Sequence, residues 1–155
     1  MSSIQSLQVA VDIAARRRDA ARMALVDACG QRDAAQAQMA QLDAYTLEIQ
    51  GRWGARPSAT LQPEVMLHYR HFMGRLAYAM GLQAEVVREH AGRIEACRKT
   101  LLDAELRLAS LRKVCESRQA EQALCQLRRD QKQTDEMAAL RTMSAARQAS
   151  AGYQE

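Results

Sequence analysis

Apolar residues recur along this chain at alternating steps of three and four, and that rhythm predicts two long helices with one intervening break. From the N-terminus the stripe runs Ile4, Leu7, Val11, Ala14, Arg18, Ala21, Leu25, Ala28, Arg32, Ala35, Met39, Leu42, Thr46 and Ile49. All are apolar except Arg18, Arg32 and Thr46. The residues between are mostly Arg, Asp, Gln and Ala. A stripe with a period of 3.5 residues is the condition for a left-handed coiled coil.

The rhythm stops in the segment from Gly51 to Pro63, which holds Gly51, Gly54, Pro57 and Pro63. Helix is disfavoured there, so residues 51–63 are expected to form the loop. Periodicity then resumes as Met66, Tyr69, Met73, Leu76, Met80, Gln83, Val87, His90, Ile94, Cys97, Leu101, Ala104, Leu108, Leu111, Cys115, Arg118, Gln122 and Cys125. Pro63 and Glu64 suit a helical first turn, because proline lacks only an N–H that would go unused and glutamate complements the dipole. The expected organisation is a single all-α coiled-coil domain over 1–155. Its first helix covers about 4–50 and its second about 64–143, with a flexible tail at 144–155.

At about 1.5 Å per residue the first helix would be about 70 Å long and the second about 120 Å. Folded back antiparallel, residues 64 to about 110 would face residues 50 to 4. The rest of the second helix would then project without an intramolecular partner. In it the seam fails at Arg129, Lys132 and Glu136, leaving a tilted stripe of Leu124, Leu127, Met137 and Leu140. Such a helix suits insertion into a partner, and fraying is the alternative.

Composition supports this architecture. Ala, Gln, Arg, Leu and Glu dominate, whereas the 155 residues include one Trp, one Phe and four Tyr. These are helix formers, and alanine suits a narrow seam between two backbones better than a thick core. The net charge of +4 is small and dispersed, without the basic clusters and stacking aromatics of a nucleic-acid binder. The Arg16-Arg17-Arg18 run reads either as a solvated face or as a contact for an acidic surface. No apolar run is long enough to span a membrane, no secretory leader is recognisable, and the scattered thiols suit a reducing cytoplasm.

Candidate chemistry is sparse. Cys29, Cys97, Cys115 and Cys125 form no CxxC pair, and the last three fall on the seam as small hydrophobes. His68 and His71 lie within one turn near Glu64, but a two-helix coiled coil offers no dry pocket for them. His90 sits on the seam, where a polar residue sets register. Phosphate-binding glycine loops and nucleophile-elbow motifs are absent. No catalytic, cofactor or metal site is expected.

Several segments resemble the FliJ family of the bacterial flagellar type III export apparatus. They are Leu7-Gln8-Val9-Ala10-Val11-Asp12-Ile13-Ala14, Asp19-Ala20-Ala21-Arg22, Leu42-Asp43-Ala44-Tyr45 and Tyr69-Arg70-His71-Phe72-Met73-Gly74-Arg75-Leu76. The ending Arg129-Asp130-Gln131-Lys132-Gln133-Thr134-Asp135-Glu136-Met137-Ala138 is similar to the family's characteristic close. The resemblance implies a cytoplasmic, non-enzymatic stalk associated peripherally with the inner-membrane export apparatus. That stalk would enter the pore of the hexameric export ATPase FliI, promote its assembly and activity, and bind the cytoplasmic domain of the export gate FlhA and empty export chaperones. By the same resemblance, gate binding falls to Phe72, Leu76, Ala79 and Gln83. The last departs from the histidine that the family often carries there. ATPase binding is placed on Arg128, Arg129, Asp130, Gln131, Lys132, Asp135 and Glu136. An injectisome stalk, an export chaperone and a generic coiled-coil scaffold are the alternatives.

Overall fold

The computed structural model describes residues 3–54 and 62–152, and among these all regular structure is α-helical. Helix α1 spans Ser3–Gly54 and helix α2 spans Pro63–Ala151. The predicted loop therefore begins later than glycine content suggests, since α1 continues through Gly51, Arg52, Trp53 and Gly54. Residues 55–61 of that loop lie outside the described residues. Helix α2 opens at Pro63 with Glu64 in its first turn, and the Met66 amide donates to the Gln62 carbonyl at 3.2 Å. It also continues past the expected end at 143 to Ala151, through the first part of the segment expected to be a flexible tail. Four alanines, one arginine and one glutamine dominate residues 144–151, and all favour helix.

The two helices pack within two units. The larger comprises Ala14–Leu106. As α1 contacts advance from Arg22 to Thr46, their α2 partners retreat from Glu105 to Met80. The helices of this unit are thus antiparallel. All seam positions of α1 from Ala14 to Ile49, and of α2 from Met66 to Ala104, are buried or half-buried. Ala14, Ala21, Ala28 and Ala35, spaced by whole heptads, are all buried. A methyl at every seventh residue lets the helices approach closely and accept larger side chains from α2, among them Leu76 and Ile94. Ile94 is 2% exposed, so the seam is dry at its centre although water reaches both flanks.

The polar seam residues each have a local solution. Arg18 and Arg32 lay their aliphatic stems along the half-buried seam and turn their guanidinium groups to Asp19 and Asp33, both at 2.9 Å. Thr46 Oγ1 donates to the Leu42 carbonyl at 2.8 Å and lies 3.2 Å from Met80 Sδ. Gln83 crosses the seam, its Nε2 donating to the Ala35 carbonyl at 2.9 Å and to Gln38 Oε1 at 3.1 Å. His90 is different: its buried Nδ1 has no hydrogen-bond partner among the described residues. That leaves one polar atom desolvated without compensation.

The second unit joins residues 3–13 of α1 with the part of α2 from Arg107 onward. Ile4, Leu7 and Val11 are half-buried, and Leu108, Leu111 and Cys115 are buried or half-buried on α2. From Glu116 to Gly152 every residue is exposed. Arg118, Gln122 and Cys125, which continue the heptad by sequence, are therefore not part of a packed seam. A heptad register reports which face would pack, but packing needs a helix opposite, and within this unit α1 offers only residues 3–13.

Candidate functional site

Among the described residues the concavities are open grooves on the helix surfaces. Two surfaces differ from an ordinary solvated coiled coil. The first lies in the Ala14–Leu106 unit, where Tyr45, Ile49 and Trp53 of α1 and Val65, His68, Tyr69 and Phe72 of α2 line an open groove of about 350 Å³. Tyr45 and Phe72 meet edge to face, with ring centroids 6.0 Å apart and an interplanar angle of 84°. Trp53 and Tyr69 stack at 6.0 Å and 26°. The only tryptophan and the only phenylalanine of the chain thus lie in one place with two of its four tyrosines. Offset stacking and edge-to-face contacts are favourable beyond simple area burial. They also explain why α1 carries on through Gly51: stopping earlier would forfeit the Trp53 contact.

The stripe Phe72, Leu76, Ala79 and Gln83 meets this groove at one end and then turns inward. Phe72 is 39% exposed, whereas Leu76 is 8% exposed, Ala79 is half-buried and Gln83 is tied to α1 by the two bonds described above. The structure therefore places Leu76 and Gln83 in the seam and leaves Phe72 as the accessible member. Tyr45 and Trp53, which border Phe72 and Tyr69 from the opposite helix, are not legible as site residues from spacing on α2. Their aromatic character was the available signal.

The second surface is the exposed part of α2 after Cys115. Arg128, Arg129, Asp130, Gln131, Lys132, Asp135 and Glu136 are all on it and all exposed. Asp130 is the best-connected of them: its carboxylate accepts from Gln126 Nε2 at 3.0 Å, and its carbonyl accepts from Thr134 Oγ1 at 2.9 Å. The Gln126–Asp130 side-chain bond, at i,i+4, supports the helix locally, whereas the Thr134 hydroxyl only bonds back to the preceding turn. Around them Leu124, Leu127, Met137, Leu140 and Met143 each stand more than half exposed. Large apolar side chains set among mixed charges along an unpaired helix are what a protein partner would cover.

A family model described as Flagellar FliJ protein matches residues 3–147. The chain belongs to the flagellar FliJ family. Its match spans both helices and both surfaces, and FliJ proteins are non-catalytic components of flagellar export. No curated protein and no solved structure matches the chain. For a FliJ protein the remaining chemistry-bearing residues have ordinary settings. His68 and His71 are exposed, and no cluster of His, Cys, Asp and Glu able to hold a metal occurs among the described residues. Cys115 is buried, Cys29 and Cys97 are half-buried and Cys125 is exposed; all four are free thiols. Arg16 and Arg17 face solvent while Arg18 leans on the seam. Among the described residues no helix is long and apolar enough to cross a membrane.

Proposed function

We propose that this FliJ protein is the stalk of the flagellar export ATPase, working in the cytoplasm at the inner-membrane export apparatus. The observation that carries this reading is the segment from Glu116 to Ala151, which is helical while every side chain on it is exposed. A helix in that condition has its strength from local propensity and keeps both apolar and charged groups free for a partner. In the proposed arrangement it enters the pore of the hexameric ATPase FliI. Arg128, Arg129, Lys132, Asp135 and Glu136 meet charged groups there, with Asp130 and Gln131 in polar contact. Ring assembly and hydrolysis are promoted as a result, without catalysis by this chain.

The gate contact, with the cytoplasmic domain of FlhA, is proposed at Phe72, Leu76, Ala79 and Gln83. Within that set the exposed ring of Phe72 supplies docking surface, while Leu76 and Gln83 hold α2 against α1 so that the ring is presented. Export chaperones are the third partner of the proposed assembly. The test is sedimentation of the purified ATPase with the full chain and with a chain ending at Leu127. The reading expects co-sedimentation of the full chain and its loss on truncation. Equal co-sedimentation of both chains would move the ATPase contact elsewhere.

A further inference from the structure

On α2, opposite its seam, lies a second stripe that neither proposed contact uses. Leu67, His71, Gly74, Tyr78 and Leu82 follow one another at steps of four, three, four and four, so they share one face of the helix. All are exposed, Tyr78 at 70% and both leucines at more than half. Leu67, Tyr78 and Leu82 thus present exposed apolar surface on one face, the kind of surface that a partner can cover.

Two features say what would cover it. Arg70 flanks the stripe on one side and Arg75 on the other, and both, with His71, Gly74 and Tyr78, line the same shallow concavity. Neither arginine has an ion pair among the described residues. No Asp or Glu occurs between Glu64 and Glu85. The patch thus carries Leu67, Tyr78 and Leu82 with one imidazole, His71, along its centre and a cation on each edge, and no acid lies between Glu64 and Glu85 to neutralise it. Gly74 adds a notch: a Cβ placed there would meet nothing within 4 Å, so internal packing does not require the glycine. A glycine inside a helix is less stable than alanine, and here, as at Gly81 and Gly92, the position is open; at Gly74 the missing side chain lowers the surface between His71 and Tyr78.

We infer that this face docks an amphipathic protein helix whose apolar stripe is bordered on both sides by Asp or Glu. Leucine-sized groups of the partner would sit around Tyr78 and against Gly74, and its carboxylates would take Arg70 and Arg75 in charge-assisted bonds. The inference stands on this face alone and does not depend on the ATPase or gate contacts.

The experiment uses the full chain and two synthetic helical peptides, measured by fluorescence anisotropy. Both carry leucine at the first and fourth heptad positions; one has glutamate on both flanks and the other lysine. The glutamate peptide is expected to bind at least about tenfold more tightly, and Arg70→Glu with Arg75→Glu is expected to reverse that preference. Gly74→Gln is expected to raise the melting temperature, as a better helix former, while weakening the glutamate peptide by about tenfold through loss of the notch. A purely structural role for Gly74 could not move those two readouts in opposite directions. Equal binding of the two peptides, or a preference that survives charge reversal, would overturn the inference. So would binding to anionic phospholipid vesicles at least as tight as to the glutamate peptide, because the face would then be a membrane surface.

Discussion

Replacing Leu76 and Phe72 separately by alanine distinguishes a side chain that holds the coiled coil together from one that is presented by it. Leu76 is 8% exposed and sits on the seam, so Leu76→Ala removes buried methyl and methylene groups and leaves a gap. Buried leucine truncations cost about 2–5 kcal/mol, depending on how far the site collapses. A two-helix seam is wet on both flanks and closes more readily than a globular core, which places this one at about 2–3 kcal/mol. For a chain of this size that is a fall of about 5–10 °C in melting temperature. Phe72 at 39% exposure has less to lose. Its edge-to-face contact with Tyr45 and its partial burial together predict a cost of about 1 kcal/mol. Thermal unfolding followed by far-ultraviolet circular dichroism measures both. Leu76→Ala melting within a degree or two of the parent, or Phe72→Ala costing more than Leu76→Ala, would refute this division of roles. The consequence for the proposed gate contact is practical: Phe72→Ala tests docking, whereas adding Leu76→Ala also loosens the scaffold.

Three further outcomes follow from the packing. Ala28→Leu puts a large side chain where a 3% exposed methyl holds the helices close, and chemical denaturation should show a loss of about 1–3 kcal/mol. His90→Leu removes the unpartnered Nδ1 from the seam and should raise the stability by about 1–2 kcal/mol in the same assay. Residues 128–152 are all exposed, so for a chain ending at Leu127 the melting temperature should stay within a few degrees of the parent while its helical signal falls with the length removed. A large fall in melting temperature on truncation would mean that the segment packs on the rest of the chain.

The seam was legible because a coiled coil is close to one-dimensional: a 3.5-residue period names the buried face wherever a partner helix exists. Every seam position from Ile4 to Ile49 and from Met66 to Cys115 is buried or half-buried. Cys125 is not, because periodicity says nothing about where the opposing helix ends. Helix α1 runs past its sequence-expected end for a related reason. Gly51 and Gly54 weaken a helix locally, but the Trp53–Tyr69 stack is a contact between residues distant in sequence, invisible to local propensity. The candidate gate stripe carried a conflict within the sequence itself. Leu76 and Gln83 belong both to the seam and to the stripe taken from the family resemblance, and only packing decides which way they face. The segment proposed for ATPase contact was legible as exposed, since its heptad positions fall on Arg129, Lys132 and Glu136.

The central claim, that an unpaired helix of this FliJ protein drives an export ATPase, is tested most directly by the rate of ATP hydrolysis of the cognate flagellar export ATPase. It would be measured alone, with the full chain, and with the chain ending at Leu127. The account predicts stimulation by the full chain and none by the truncated one, both being folded by circular dichroism. No stimulation by the full chain, with the ATPase able to form rings, would contradict it.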